Sequence, residues 1–348
     1  MPAPRRSLSA RSILVTGGCG YIGSHAALRL LEEGHEVTVV DNLFRGHRRV
    51  AEILAAIGGE RFRFIEADVL DTDALAATMR AQRTEAVLHF AGLTYVGESV
   101  EQPAAYFRVN TAGGLSVLTA MERASVQRII FSSTAAVYGE PDRTPISEDA
   151  PLRPINPYGR SKLQFEEMLR AVAARPNAAQ PLSAVALRYF NVAGADPIGR
   201  IGEDHRPETH LVPIALEVAL GKRSHLAIFG EDYPTPDGTC VRDYVHVGDL
   251  VDAHVAAIAQ LELPGFRAWN VGIGRGYSVR EVLESCRRVT GHAIPTQTSA
   301  RRAGDPPALY ADPSAIERDL GWSARVTDLD EIVSSAWRWH RAHPNGYA

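Results

Sequence analysis

The chain has 348 residues, of which 45% are hydrophobic, enough to bury one large core or two ordinary ones. Its 37 basic and 41 acidic side chains give a net charge of −4 and form no block of one sign, which argues against nucleic acid and anionic membrane surfaces as partners. Charge-free stretches such as residues 86–97 are shorter than the roughly 18 apolar residues that span a bilayer, so no membrane partner is expected.

The N-terminus and the cysteines indicate the compartment. Residues 1–10 contain prolines and arginines but no apolar segment of a secretory signal, and they are predicted to be a disordered arm. The three cysteines, Cys19, Cys240 and Cys286, are odd in number and lack CxxC spacing. They predict neither a disulfide framework nor a metal site, and this cysteine usage suits the reducing cytoplasm.

Short apolar runs alternate with longer helix-like stretches through the first half of the chain. The runs are rich in Val, Ile and Phe without polar alternation, as expected of parallel strands that are buried on both faces. Strands joined by helical crossovers predict an α/β fold with a doubly wound parallel Rossmann sheet. The predicted strands are residues 12–16, 36–40, 61–65, 86–90, 128–132 and 184–188.

The regular alternation ends near residue 190, where stretches rich in Gly, Asp and Pro interrupt shorter elements. We predict a Rossmann domain over residues 11–190, to which segments near 240–265 can return, and a smaller C-terminal α/β substrate domain over residues 191–348. The C-terminal elements are predicted helices at 211–220, 249–261, 278–290 and 328–342, and predicted strands at 243–247 and 268–271.

A glycine-rich turn follows the first predicted strand directly, with glycines at Gly17, Gly20 and Gly23. Glycine at these positions permits a tight turn and close approach of backbone N–H groups to a pyrophosphate, and the N-terminus of the following helix favours the anion. The same pattern also occurs in turns that bind no ligand, so the motif alone is weak.

Asp41 ends the second predicted strand and strengthens the dinucleotide interpretation. A carboxylate there accepts hydrogen bonds from the adenosine ribose and repels a 2′-phosphate, which predicts NAD as the cofactor. Three nearby arginines, Arg45, Arg48 and Arg49, keep NADP open as an alternative, unless they are solvated loop charges. Asn42 beside Asp41 is a further cofactor candidate, and later strand ends at the same edge add Asp68, Val69, Phe90, Ala91 and Gly92, although Asp68 alone also fits a helix cap or a turn.

Tyr158 and Lys162 open a predicted helix that runs to about residue 174, and their spacing places both on one face. A free tyrosine titrates near pH ~10, but neighbouring cations favour the phenolate, so the pair can supply a base. Most Tyr and Lys pairs at this spacing have no catalytic role and only cover the surface of an amphipathic helix with their apolar stems. The glycine turn and Asp41 upstream favour the catalytic interpretation here.

Seven segments together resemble the extended short-chain dehydrogenase/reductase family, in particular its UDP-glucose 4-epimerase branch, from about residue 12 to the C-terminus. These segments are ILVTGGCGYIGSHAALRLLEEGHEVTVVDNL, HFAGLTYVGESV, FSSTAAVYG, NPYGRSK, LRYFNVAGAD, LAIFGEDYPTPDGTCVRDYVHV and RRAGDPPALYAD. The resemblance implies NAD as cofactor, a UDP-sugar as substrate, and reversible C4 epimerisation of UDP-glucose and UDP-galactose through a 4-keto sugar and NADH. It also implies a homodimer formed by helices around residues 100–124 and 158–174.

The resemblance assigns roles to individual side chains. It implies that Tyr158 is the acid and base at the sugar 4-hydroxyl, that Lys162 binds the nicotinamide ribose and lowers the pKa of the tyrosine, and that Thr134 hydrogen-bonds the same hydroxyl. The matching cofactor positions also include Tyr21, Ile22, Asn110, Ser132 and Tyr189, and the matching nucleotide-sugar positions are Asn191, His210, Leu211, Phe229, Arg242, Arg302, Asp305 and Leu309. The arginines are expected at the pyrophosphate and Asp305 at the uridine ribose. Taken without the resemblance, Arg242 suits an ion pair with Asp243, and Phe229 suits the core.

Four positions depart from the family pattern, and two other activities are possible for a chain with these motifs. Thr94, His210, Thr134 and Leu309 differ from the best-known members, which leaves UDP-N-acetylhexosamines open as substrates. A nucleotide-sugar 4,6-dehydratase needs an acidic pair after the Thr or Ser, where this chain has Ala135 and Ala136. A non-catalytic NAD-binding protein is the third alternative, and the presence of the Tyr, Lys and Thr disfavours it.

Overall fold

The computed structural model describes residues 10–176, 180–302 and 305–348. The predicted arm at residues 1–10 lies, apart from residue 10, outside the described residues. The strands are β1 (Ser12–Thr16), β2 (Glu36–Asp41), β3 (Phe62–Glu66), β4 (Ala86–His89), β5 (Arg128–Thr134), β6 (Ser183–Tyr189), β7 (Asn191–Ala193), β8 (Leu226–Phe229), β9 (Val241–Arg242), β10 (Tyr244–His246), β11 (Gly265–Val271), β12 (Tyr277–Ser278), β13 (Thr296–Ser299) and β14 (Ala308–Leu309).

Helices cover the sheet and build the C-terminal part. They are α1 (Tyr21–Glu32), α2 (Arg48–Gly58), α3 (Thr72–Ala81), α4 (Val96–Glu101), α5 (Pro103–Tyr106), α6 (Gly113–Ala124), α7 (Pro157–Ala173), α8 (Leu211–Ala219), α9 (Val247–Ile258), α10 (Val279–Thr290), α11 (Ser314–Leu320) and α12 (Leu329–Ala342). A π-helical segment, Phe107–Ala112, joins α5 to α6, and short 3₁₀ turns occur at Gly59–Arg61, Ala135–Val137 and Ala259–Glu262.

Strands β1 to β6 and β11 form one parallel sheet in the order β11-β6-β5-β4-β1-β2-β3. Helices connect the consecutive strands β1 to β6, so the predicted doubly wound Rossmann fold is confirmed. The strand order reverses between β1 and β4. Ligands of such sheets bind beyond the carboxyl ends of the strands at this switch point.

Alternate residues of the central strand enter the two cores that cover the sheet. Ile13 and Val15 of β1 belong to a buried cluster with side chains of α1, α2 and α9. Leu14 points to the opposite face, into a cluster with side chains of α3, α6 and α7. All three are fully buried. The absence of polar alternation in this strand follows from burial on both faces.

The last strand of the sheet comes from late in the sequence. A strand at residues 268–271 was predicted, but its placement in the C-terminal domain is wrong, because β11 pairs in parallel with β6. A parallel partner is set by tertiary packing and leaves no local mark in the sequence. The division of the chain at residue 190 stays a prediction.

A separate buried cluster lies in the part of the chain after residue 190. Helices α8, α10 and α12 contribute apolar side chains to it, together with β8 and β10. Three small sheets, β10-β7, β12-β9-β14 and β13-β8, carry the loops of this region. Within the described ranges, every helix lacks the length or the hydropathy needed to cross a membrane.

Candidate active site

A cleft of about 1720 Å³ opens at the carboxyl ends of the sheet strands and extends between them and the C-terminal elements. Most of the predicted site residues line it. They are Gly17, Gly20, Tyr21, Ile22, Gly23, Asp41, Asn42, Asp68, Val69, Phe90, Ala91, Gly92, Thr134, Tyr158, Tyr189, Asn191, His210, Leu211, Phe229, Arg242, Arg302, Asp305 and Leu309. Asn110, Ser132 and Lys162 are buried and are not part of the lining.

The glycine-rich turn has a backbone that only glycine can provide. Gly17 has a φ of +71°, and a Cβ there would lie 2.6 Å from the backbone nitrogen of Ala91. A Cβ on Gly23 would lie 2.2 Å from the carbonyl oxygen of Gly17. Helix α1 starts at Tyr21 without a side-chain cap, so the turn presents backbone N–H groups to the cleft, as an anion site requires.

The carboxylates at the ends of β2 and β3 are held in place by hydrogen bonds. Asp41 accepts the N–H groups of Cys19 at 2.9 Å and Leu43 at 2.8 Å. Burial raises the pKa of Asp41, while these two N–H groups act in the opposite direction. Asp68 accepts the side-chain amide of Asn42 at 2.9 Å. Both carboxylates therefore face the cleft with fixed orientations.

The three arginines that left NADP open are paired with acidic side chains. Arg45 lies 2.7 Å from Glu98 and stacks over the ring of Tyr95 at 4.3 Å. Arg48 pairs with Glu66, and Arg49 pairs with Glu52 at 2.8 Å. Their charges are thus balanced by carboxylates, and the site favours a free ribose over a 2′-phosphate.

Helix α7 delivers the predicted catalytic pair to the end of β5. Asn156 caps the helix by accepting the N–H of Gly159 at 2.9 Å, and Pro157 occupies the first turn. Tyr158 and Lys162 are 6% and 2% exposed. The ammonium of Lys162 donates to the carbonyl oxygen of Ser132 at 3.0 Å.

Burial acts on the ionisation of both groups. It raises the pKa of Tyr158 to about 12, with the Thr134 hydroxyl acting in the opposite direction. It lowers the pKa of Lys162 to about 8, because the ammonium loses its hydration. In the chain alone, burial and Thr134 thus set the pKa of the tyrosine, and its lowering by Lys162 stays a prediction.

The hydroxyl and amide groups around this pair have defined partners. Thr134 accepts the N–H of Ala136 at 3.1 Å, and the hydroxyls of Ser132 and Tyr189 lie 2.7 Å apart. The side chain of Asn110 bonds both backbone groups of Leu93 and donates to Ser161 at 2.9 Å. Asn110 therefore joins the loop after β4 to α7, and its predicted contact with the cofactor remains a prediction.

Among the C-terminal residues that line the cleft, two arginines flank one carboxylate. Asp305 lies 3.7 Å from Arg242 and 3.4 Å from Arg302. Arg302 also lies over the ring of Phe229, 4.4 Å from its centre. The alternative pairing of Arg242 with Asp243 is wrong, since the carboxylate of Asp243 accepts backbone N–H groups instead. Phe229 is 37% exposed, so its core interpretation is also wrong.

Three of the positions that depart from the family pattern, Thr94, His210 and Leu309, line the same cleft. Leu309 is half-buried and packs on a cluster that includes Ala135 and Phe190. His210 precedes α8, and its Nδ1 lies 2.9 Å from Glu203 and 3.0 Å from Glu208. Thr94 also lines the cleft.

Several residues of the cleft escaped the sequence analysis. Tyr95, Glu203, His205 and Glu208 line it, but none was predicted as a site residue. The signal for the last three was the spacing of acidic and histidine residues in Glu203-Asp-His205-Arg-Pro-Glu208-Thr-His210. The position of Tyr95 depends on its contact with Arg45, which is 50 residues away in the sequence and leaves no local pattern.

Residues 13–272 match the model of the NAD dependent epimerase/dehydratase family. A UDP-glucose 4-epimerase of Halalkalibacterium halodurans is 48% identical over 338 residues, which cover 97% of this chain and 98% of that protein.

Solved structures give the same relationship. UDP-glucose 4-epimerase from Bifidobacterium longum, in complex with NAD⁺ and UDP, matches with a TM-score of 0.91 at 40% identity, over 96% of this chain and 99% of that one. UDP-glucose-4-epimerase from Stenotrophomonas maltophila, with bound NAD and formylated UDP-arabinopyranose, matches with a TM-score of 0.91 at 42% identity, over the same shares of the two chains.

Proposed function

Since the chain belongs to the NAD dependent epimerase/dehydratase family, we propose that it catalyses reversible C4 epimerisation of UDP-glucose and UDP-galactose. The observation that carries this proposal is one cleft with three parts. Its lining includes the glycine-rich turn, Tyr158, and the arginine pair Arg242 and Arg302 beside Asp305.

The residues of the chain fit NAD. The turn at Gly17 and Gly23 packs so tightly that a Cβ at either position would meet neighbouring backbone atoms, which leaves the backbone N–H groups of the turn at the cleft for a pyrophosphate, and Asp41 suits the adenosine ribose. Lys162 is close enough to the cleft that a Cβ on Gly92 would lie 3.4 Å from its ammonium. Bound there, NAD supplies the acceptance and return of a hydride at C4 of the sugar.

Tyr158 moves the proton of the reaction. Its phenolate takes the proton of the sugar 4-hydroxyl and later returns it, while Thr134 hydrogen-bonds the same hydroxyl. The tyrosine is almost fully buried, so bulk water is kept from the proton it carries. A buried acid and base that retains its proton between the two half-reactions suits a reaction that starts and ends with a hydroxyl.

The arginine pair holds the nucleotide while the sugar turns. Arg242 and Arg302 donate planar pairs of N–H groups, which suit a diphosphate, and Asp305 accepts from the uridine ribose. With the nucleotide fixed, rotation about the pyrophosphate link presents the second face of the 4-keto sugar to the same side of the cleft. Epimerisation needs this rotation, because oxidation and reduction occur from one side.

A dehydratase reaction finds no support in the cleft. Elimination of water needs a second acid/base pair beyond the tyrosine. The side chains that follow Thr134 on the cleft wall are Ala135 and Ala136, which transfer no protons. The epimerase and dehydratase share their first step, so the missing pair decides between them.

The test is a direct assay of the purified protein. We expect UDP-galactose to be converted to UDP-glucose without added reductant, and the denatured protein to release NAD. A protein that releases NAD but interconverts neither sugar would overturn the proposal, and a 4-keto-6-deoxy product would establish the dehydratase.

We also propose that two copies of the chain form a dimer that works in the cytoplasm in galactose metabolism. Leu115 of α6 is 51% exposed and Val100 of α4 is 62% exposed, in the region where a shared helical interface is predicted. The three cysteines are buried and unpaired, as suits a reducing compartment.

A further inference from the structure

Four potential metal ligands converge in the loop between β7 and α8. Glu203, His205, Glu208 and His210 each contribute one donor atom, and these atoms all lie within 4.8 Å of one another. The two glutamates have 4% of their side-chain surface exposed, and His205 has 14%. The cluster lies on the wall of the cleft. His210 is also a predicted nucleotide-sugar position, whereas Glu203, His205 and Glu208 have no part in the proposed reaction.

The four histidine–glutamate distances within the cluster are close to those between ligands of one ion. Nδ1 of His210 lies 2.9 Å from Glu203 and 3.0 Å from Glu208, and Nδ1 of His205 lies 3.2 Å and 3.6 Å from the same two residues. Ligands at ~2.1 Å from a tetrahedral metal lie ~3.4 Å from one another. The observed separations bracket that value.

Two donor atoms of the cluster lack a hydrogen bond. Oε1 of Glu203 and Nδ1 of His205 are buried, and no partner with hydrogen-bond geometry occurs for them within residues 10–176, 180–302 and 305–348. They lie close to each other and to His210, yet the approach does not have the direction of an N–H···O bond. Buried polar atoms without a hydrogen bond cost free energy, and a cation bound among the four side chains would satisfy both atoms.

We propose that Glu203, His205, Glu208 and His210 bind one divalent transition-metal ion, with Zn²⁺ as the best match. Imidazole and carboxylate together suit Zn²⁺, whereas Ca²⁺ and Mg²⁺ prefer oxygen ligands alone. Two carboxylates balance the charge of the ion. The sequence analysis predicted no metal site, but that prediction considered only the spacing of the cysteines and not these histidines and glutamates.

Four protein ligands fill the coordination sphere of Zn²⁺, which is typical of a structural ion. The loop already contacts distant parts of the chain: Tyr95 donates to the carbonyl oxygen of Pro207 at 2.9 Å, and Tyr347 donates its N–H to Asp204 at 3.0 Å. An ion at its centre fixes the loop that leads into Leu211 on the cleft wall. We therefore expect metal loss to lower the thermal midpoint and raise KM more than it lowers kcat.

Metal analysis of the untagged protein tests the site. After exposure to Zn²⁺ and dialysis, the wild type is expected to retain about one zinc per chain by plasma mass spectrometry. Glu203→Gln and His205→Gln remove one ligand each and are expected to reduce the retained zinc at least tenfold. His292→Gln is the control, because His292 is exposed and lies outside the cluster, and it should retain the wild-type amount.

A measurement on the wild type alone guards against variants that fail to fold. Anomalous diffraction at the zinc edge is expected to show one peak among the four side chains, with ligand bonds of about 2.0–2.2 Å. A wild-type protein that retains no zinc, or a peak elsewhere, would overturn the proposal. The cluster would then be a set of ion pairs between protonated histidines and the glutamates. Neither measurement depends on the epimerase activity.

Discussion

Tyr158 lies in surroundings that oppose its own ionisation. Burial raises its pKa to about 12 and lowers the pKa of the neighbouring Lys162 to about 8. Near neutral pH the lysine is still mainly protonated, but the phenolate is rare. A tyrosine base therefore needs more positive charge than the chain supplies, and the oxidised nicotinamide ring is the group that brings it.

Removal of the Tyr158 hydroxyl tests its role in proton transfer. Tyr158→Phe is expected to reduce kcat by ~10²-fold or more, the usual scale of acid–base catalysis, because no other group takes the proton. The variant should still release NAD on denaturation. Tyr310→Phe, outside the cleft lining, is the control and should keep wild-type kcat. A Tyr158→Phe enzyme with near-normal turnover would assign the proton to another residue.

The pH dependence of the rate tests the role of Lys162. Lys162→Ala removes a cation near Tyr158, so the pKa of the tyrosine rises and the limb of the profile that climbs with pH moves to higher pH. Above about pH 8 the wild-type lysine loses its own proton, so the two profiles should approach each other there. The measurement is kcat against pH for both proteins loaded with NAD. Coincident profiles would show that Lys162 does not act on the tyrosine.

Leu309 is the residue expected to limit the size of the sugar. It packs near Ala135 and Phe190 on the cleft wall, and a leucine there leaves less room for an acetamido group than a small residue. Leu309→Ser is expected to raise kcat/KM for UDP-N-acetylglucosamine relative to UDP-glucose by about 10–200-fold, the range of pocket-size effects. Leu152→Ser, in the same cluster but outside the cleft lining, is the matched control. An unchanged ratio would place the size limit elsewhere, such as at Thr94.

At the scale of elements, a buried ion pair fixes α7 against the sheet. Glu166 of α7 and Arg188 of β6 are fully buried and lie 2.6 Å apart. Ser133 of β5 donates to Glu166 at 2.5 Å, and Arg188 donates to Tyr138 at 3.0 Å. Because α7 carries both Tyr158 and Lys162, this network holds the helix with the predicted catalytic pair against β5 and β6.

Glu166→Gln breaks the network and leaves the Arg188 guanidinium buried without its counter-charge. We expect a loss of about 3–5 kcal/mol in the free energy of unfolding, since an uncompensated buried charge is costly. Glu60→Gln makes the same chemical change at an exposed residue of the 3₁₀ turn Gly59–Arg61, away from α6 and α7, and should alter stability by less than ~0.5 kcal/mol. Urea denaturation of the three proteins measures the difference. Equal stabilities would show that solvent reaches Arg188.

The elements that the sequence predicts well are those defined by local patterns. The six predicted strands of the sheet agree with β1 to β6 to within two residues at each end, because an apolar run that is buried on both faces is visible in the sequence. The glycine turn and the Tyr158/Lys162 spacing were visible for the same reason. The pairing of β11 and the Glu166–Arg188 contact depend on distant residues, so no local pattern marks them.

At the scale of the molecule, the cleft divides the work between the two parts of the chain. The groups predicted to bind the cofactor and move the proton come mainly from residues before 190, and the arginine pair comes from residues after it. The loop with Glu203 and His210 connects them and lies on the cleft wall. Anchoring the nucleotide on one side and performing the chemistry on the other leaves the sugar between them free to rotate.

The proposed dimer gives a prediction for the whole molecule. Leu115 lies on the exposed face of α6 beside α7, whose own outer residues include Glu167 and Arg170. If two copies share this face, Leu115 becomes buried, and an arginine there would need to be desolvated without a partner. We expect light scattering to give twice the 37.8 kDa mass of one chain for the wild type and the mass of one chain for Leu115→Arg.

The matched control places the same charge on a different surface. Leu263 is 53% exposed, close to the 51% of Leu115. It lies just before β11, an edge strand of the sheet, and is not part of the α6 face. Leu263→Arg should therefore remain a dimer. A wild-type mass of one chain at every concentration would exclude the dimer. If both variants dissociate, the added charge and not the α6 face controls assembly. If Leu263→Arg stays a dimer like the wild type while Leu115→Arg dissociates, the interface is assigned to α6.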